Sequence, residues 1–287
     1  MQVKRIVCVH KKAQDCVNCI LVHKCVYAYI FDTTPPIDSS KLRKYKDIPR
    51  PFIIEPPIVS NEQYIANEGF DFNLILIGKA CDYLPYFIFT FKELGDIGIG
   101  KGRGKYELTD VVAIKGAQKE GIYSNTGGIL RNIDLRITMD DILKEVNSLP
   151  DNELTIEFIT PCRMKYNARL CNSPEFHILI QNLLARISSL VYFHCNEEIN
   201  FDFKGLIEEA KQVRIKERHI GWYDWERYSA RQDTRMKLGG IIGQVTYAGN
   251  LTNFLPFIAL GRYLHIGKGT TFGLGKYEIV TKGRKVE

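Results

Sequence analysis

The sequence predicts two consecutive α+β domains of the ferredoxin-like (RRM-like) kind, each ordered βαββαβ, and three observations lead there. First, Tyr83 to Leu108 (YLPYFIFTFKELGDIGIGKGRGKYEL) and Phe254 to Ile279 (FLPFIALGRYLHIGKGTTFGLGKYEI) share an aromatic-Leu-Pro-aromatic opening, a Gly-Lys-Gly, and a Gly-Lys-Tyr-Glu before a branched aliphatic. Second, Gly78 stands five residues before Tyr83 as Gly249 does before Phe254, each after a strand-like run, Phe72 to Ile77 and Ile241 to Tyr247. Third, each copy reads internally as a Pro-started apolar helix, a glycine-rich loop and a strand of alternating or β-branched residues. Strand, helix, loop and strand make the second half of a split βαβ unit, and their recurrence marks a tandem repeat.

Composition sets the bounds. A chain of 287 residues holds two domains of ordinary size. No apolar run reaches the ~20 residues of a membrane span, and none near the start has signal length, so a cytoplasmic protein with no membrane partner is expected. The 39 Lys plus Arg exceed the 33 Asp plus Glu too little to select a nucleic-acid partner by themselves. Their placement says more. From Leu251 onward six basic residues (Arg262, Lys268, Lys276, Lys282, Arg284, Lys285) face two acidic ones (Glu278, Glu287), which gathers positive charge around the second glycine loop.

In chain order, Met1 to Val9 is either a short strand or the last turns of a helix, and periodicity does not choose. Cys8, Cys16, Cys19 and Cys25 follow with His10 and His23 interleaved. In a reducing compartment this C-x7-C-x2-C-x5-C spacing points to structural zinc, with an iron-sulfur cluster or plain reduced thiols as the alternatives. Tyr27, Tyr29 and Phe31 alternate as on a half-buried strand, and the proline-rich Thr33 to Pro57 reads as a loop. Thr138 can cap a short helix from Met139 to Asn147, with Asp141 at the reciprocal position. Pro150-Asp151-Asn152 marks the boundary, giving domains 1–150 and 151–287. The second domain opens with an alternating strand, Leu154 to Ile159, and a helix from Ser173-Pro174 to about His194. Trp222, Tyr228 and the basic Arg227, Arg231 and Lys237 precede two strands around Gly239 to Tyr247, with Trp222 and Tyr228 expected in the core. This half shows the whole βαββαβ order; the first half shows no evident opening strand.

The run His265 to Gly275, HIGKGTTFGLG, resembles the C-terminal glycine-rich loop of the RAMP superfamily of CRISPR proteins, with His265 standing where the first glycine would be. Cys16 to Phe31, Pro49 to Pro57 and Tyr223 to Gly240 resemble the branch that contains the CRISPR repeat-RNA (pre-crRNA) processing endoribonuclease. Physically, glycines allow positive φ and bring backbone amides within reach of one phosphate, to which a lysine adds a mobile cation. Gly267, Lys268, Gly269, Gly273, Gly275 and Lys276 are therefore expected to contact RNA, with Arg227 and Arg231 beside them.

The resemblance implies cleavage within the repeat without a catalytic metal, the ribose 2′-hydroxyl attacking the adjacent phosphorus. That reaction calls for a base, an acid and stabilisation of the charged phosphorane. Histidine suits the proton transfers; the resemblance places the catalytic one in the first domain, where His23 and His10 lie, with Tyr27 a partner and His265 a rival. The alternative is a RAMP subunit that grips guide RNA within a CRISPR effector complex without cutting it; a third reading is a zinc-bearing interaction module with no RNA partner. The expected partners are CRISPR repeat RNA and other CRISPR effector subunits.

Overall fold

A computed structural model of the protein describes residues 4, 8, 16, 19–33, 48–58, 64–100, 102–128, 130–229, 234–281 and 284–285. In chain order its elements are helix α1 (Val26–Phe31), strands β1 (Phe52–Glu55) and β2 (Asn73–Leu76), helix α2 (Leu84–Ile97), strands β3 (Asp110–Lys115) and β4 (Gln118–Ser124), and helix α3 (Met139–Val146). Then come β5 (Glu153–Cys162), the short β6 (Lys165–Tyr166) and β7 (Arg169–Leu170), helices α4 (Phe176–Leu190) and α5 (Phe203–Ala210), and β8 (Arg214–Tyr223). The chain continues through β9 (Glu226–Ser229), β10 (Thr234–Lys237), β11 (Gly240–Ala248), helix α6 (Leu255–Leu264), β12 (Tyr277–Thr281) and β13 (Arg284–Lys285).

These elements form two compact units, one of residues 1–51 and 76–138, the other of residues 52–75 and 139–287. The compact units divide at residue 138, ahead of Pro150, and β1 with most of β2 falls in the second unit. The reason is ionic: Arg262 of α6 binds Glu145 of α3 on one side and Glu278 of β12 on the other, with an Arg262–Glu278 separation of 2.6 Å, so α3 is fastened to the second unit.

In the second unit five antiparallel strands run in the order β13-β12-β5-β11-β8. Without β13 this is the ferredoxin-like order, fourth, first, third and second strand, with α4 and α6 as its two helices. Alternation decides which face is covered: Leu154, Ile156, Phe158, Val245, Tyr247, Tyr277 and Ile279 are all buried, against a helix layer whose Phe176, Leu179, Leu183, Ile187, Phe254 and Ile258 are buried too. The Tyr247 and Tyr277 hydroxyls keep their hydrogen bonds inside this core, donating to the Pro174 and Ile258 carbonyls at 2.6 Å each. Phe176–Cys195 is apolar and long enough to cross a membrane by length and composition, but its stripe is this core.

The first half of the chain supplies two separate two-stranded sheets, β1–β2 and β3–β4, with α2 between β2 and β3 in the chain, and no opening strand is found among the described residues. The repeat is nonetheless real in three dimensions. Ile99 N–H donates to the Gly104 carbonyl at 2.9 Å and Ile266 N–H to the Gly275 carbonyl at 3.0 Å, closing the two glycine loops alike. The next tyrosine in each copy, Tyr106 or Tyr277, ties the loop back to its helix through a 2.6 Å hydroxyl bond to Phe91 or Ile258. Two expectations are corrected. Val26–Phe31 is a helix, with Tyr27 and Phe31 one turn apart at 5.5 Å and Phe31 against Phe87; a run apolar at nearly every position carries no period to read. Phe52–Glu55 is a strand inside the predicted loop, because Pro51 and Pro56 bound it without interrupting it.

Candidate functional site

The second glycine loop is held at one end of the sheet because α6 delivers the chain to it and β12 takes the chain away. Gly267, Gly269, Gly273 and Gly275 all take the left-handed backbone expected of them, with φ of 86°, 80°, 79° and 73°. A Cβ on Gly267 would lie 2.7 Å from the Arg163 carbonyl oxygen, and one on Gly275 would collide with the Ile266 carbonyl. The amides, however, are largely occupied by the protein itself. Lys268 N–H donates to the Arg163 carbonyl (3.0 Å), Gly275 N–H to Pro161 (3.1 Å) and Gly273 N–H to Thr270 (2.9 Å). This corrects the open amide cradle expected for Gly273 and Gly275, which are buried; what the loop offers outward is the exposed Lys268, between half-exposed Gly267 and Gly269.

Lys276 is corrected as well. Its ammonium lies 3.0 Å from Glu55 Oε2 in a half-buried ion pair. The other Glu55 oxygen sits 2.7 Å from His265 Nε2, and Asn73 donates to Oε2 at 2.9 Å. Nδ1 of His265 faces the Leu274 carbonyl at 3.1 Å, so both ring nitrogens meet oxygen partners. Burial of Glu55 opposes its charge, yet the hydrogen bonds from His265 and Asn73 and the charge and hydrogen bond of Lys276 outweigh it and hold the carboxyl at about 2. His265 is wholly buried and both its nitrogens are engaged, which removes it as a rival for proton transfer to RNA. Glu55 escaped the sequence reading because 210 residues separate it from His265.

The same sheet end gathers further cations. Lys165 and Arg169, on the hairpin that follows β5, are exposed, as is Lys237 on β10, against exposed Asp224 and Glu226. Arg163, half-exposed at the end of β5, donates to the Gly239 carbonyl at 2.7 Å. Arg163, Lys165 and Arg169 were missed; the direction of β5, ending beside the loop that starts β12, is the signal that could have found them. Arg227 lies on β9 with its side chain outside the description, and Arg231 falls outside the described residues.

Among the catalytic candidates, His10 lies outside the described residues, and His23 sits on the 3-10 turn Val22–Lys24 with its side chain likewise outside. Tyr27 is half-buried on α1, its ring against Phe31. Cys8 and Cys16 are buried, and Cys19 and Cys25 half-buried. Burial pushes the Cys16 thiol up to about 11 against the opposing charge of Lys4, with Asp32 and Cys25 adding to the rise. Among the described residues no three His, Cys, Asp or Glu stand together to hold a metal.

Fold and site together define a ferredoxin-like protein with a glycine loop at a basic sheet end. Residues 156–277 match the family model described as CRISPR-associated endoribonuclease Cas6, and residues 1–135 match one described as an N-terminal domain. Over residues 156–277 the chain is thus similar to the CRISPR-associated Cas6 endoribonuclease family. No curated protein matches the sequence. Among solved structures, a product complex of Thermus thermophilus Cas6 is similar over 80% of this chain and 82% of that one, with 16% identity and a TM-score of 0.51. A partial Cas6-RT-Cas1–Cas2 complex is similar over 82% of this chain and 39% of that one, with 15% identity and a TM-score of 0.51. Against another Thermus thermophilus Cas6 structure the chain spans 57% of that chain's length, at 17% identity, 48% coverage and a TM-score of 0.37. The likeness at 0.51 supports the tandem ferredoxin-like fold.

Proposed function

We propose that this protein binds CRISPR repeat RNA and cuts it within the repeat, the 2′-hydroxyl attacking the adjacent phosphorus with no metal in the reaction. The observation that carries the reading is the match of residues 156–277 to the Cas6 endoribonuclease family, in a fold whose glycine loop presents Lys268 at a sheet end rich in exposed cations. Lys268, with Lys165, Arg169, Lys237 and the arginines at 227 and 231, binds phosphates. His23 or His10, helped by Tyr27, moves the protons. Other CRISPR proteins are its expected partners, since a similar fold occurs within a Cas6-RT-Cas1–Cas2 complex.

Purified protein incubated in EDTA with repeat RNA leaves a 2′,3′-cyclic phosphate end, and His23→Ala or His10→Ala abolishes single-turnover cleavage while RNA binding persists. Affinity falls with salt at a log–log slope of roughly 0.7 per phosphate contacted, and Lys268→Ala lowers that slope. Tight, salt-dependent binding without cleavage of any repeat assigns the protein to the non-cutting RNA subunits instead.

A further inference from the structure

Trp222 was expected in the core, yet it is 43% exposed at the end of β8, the edge strand of the second unit's sheet. Its indole is not loose. Nε1–H donates to Asp224 Oδ1 at 2.9 Å, and Gly239 packs against the same nitrogen so closely that a Cβ there would lie 2.9 Å from it. An aromatic ring held in one place while open to solvent gives up little freedom when something stacks on it.

Its neighbours say what that something is. Trp222 is paired with Ile241 and Ile241 with Cys162, and the next residue, Arg163, bridges to Gly267 of the glycine loop. Three strand spacings of about 4.8 Å put the ring's backbone roughly 14 Å from that loop, at the same sheet end. Arg163 is fixed to the carbonyl of Gly239, the residue that packs on the indole, and the same sheet end carries exposed Lys268 on the glycine loop and exposed Lys237 on the β9–β10 ribbon. Successive residues of a strand point to opposite faces, so Tyr223, also exposed, belongs to the other face and does not share this position.

We infer that Trp222 is a stacking platform for one base of a single-stranded RNA segment whose backbone is held at Lys268. This rests on the RNA-binding reading above and adds to it a base subsite. A flat ring beside cations suits single-stranded nucleic acid because every base offers a π-face, whereas the cations alone hold only phosphates.

The chain has two tryptophans, Trp222 and Trp225, so in a Trp225→Phe background the fluorescence comes from Trp222 alone. Titrated with a single-stranded oligoribonucleotide of mixed sequence, that variant shows quenched indole emission. Trp222→Ala and Trp222→Leu weaken binding roughly tenfold while the salt slope stays as it was. Trp222→Phe retains most of the affinity. An abasic nucleotide at one position of the oligonucleotide removes the difference in affinity between wild type and Trp222→Leu. The leucine variant keeps apolar bulk, so a purely structural role would leave its affinity intact. RNA binding that depends on Lys268 but leaves the emission and the Trp222→Leu affinity unchanged overturns the platform and leaves the RNA reading standing. Absence of salt-dependent RNA binding removes both.

Discussion

His265 takes a backbone conformation, φ 57° and ψ 169°, that is left to glycine in most proteins, and the corresponding residue of the first copy is Gly98 with φ 84° and ψ 150°. A side chain there persists because the surroundings hold it: the imidazole bridges Glu55 and the Leu274 carbonyl, and Glu55 also binds Lys276. The pH dependence follows from the depressed Glu55 carboxyl. Its folded value of about 2 lies below its ordinary 4.5, so its stabilisation is complete above 4.5 and is lost as pH falls from there toward 2. Glu55→Gln leaves buried His265 and half-buried Lys276 without their carboxylate partner and should cost about 3 kcal/mol near neutral pH. Thermal melts followed by circular dichroism from neutral pH to about 2.5 should show wild type losing its advantage over Glu55→Gln through that window; parallel curves would refute the cluster's role.

At the scale of elements, the two glycine loops close with the same bond but bear different loads. In the second, shorter α6 and a longer loop pack tightly, and a Cβ on Gly275 would strike the Ile266 backbone at a φ of 73°. In the first, a Cβ on the corresponding Gly104 would meet only the Ile99 carbonyl oxygen, at an ordinary 4.0 Å. Gly275→Ala should therefore destabilise the protein by about 3 kcal/mol in chemical unfolding, whereas Gly104→Ala should change it by less than about 0.5 kcal/mol. Equal effects would mean that the repeated motif, rather than local packing, sets the demand for glycine. Lys268 stands apart from this structural duty, and its removal should touch RNA affinity with little change in stability.

At the scale of the molecule, the second unit is assembled from segments far apart in the chain. Residues 52–75 contribute Glu55 and Asn73, and α3 contributes Glu145, which shares the buried Arg262 with Glu278. A fragment of residues 151–287, the expected second domain, would lack all three and leave His265 without its carboxylate. It should melt at least roughly 10 °C below the second unit of the full chain, because losses of several kcal/mol translate into shifts of that size. A fragment that melts with the full chain would restore the boundary at Pro150.

Local sequence carried what depends on neighbours in the chain. Periodicity located β5, α4, β11 and α6, the Thr138 signal located α3, and the left-handed loop was written in Gly267, Gly269, Gly273 and Gly275, since only glycine takes such angles freely. The duplicated Gly-Lys-Tyr-Glu announced a repeated unit because each copy must tie its loop to its own helix, as Tyr106 and Tyr277 do. What the chain order could not announce were meetings across long separations. Glu55 takes Lys276 out of the set of free cations, carbonyls of Pro161 and Arg163 consume amides that looked available, and the edge position of β8 leaves Trp222 in solvent. Charge and hydrogen-bonding capacity are properties of a side chain; whether they remain available to a ligand is decided by what folding places beside it.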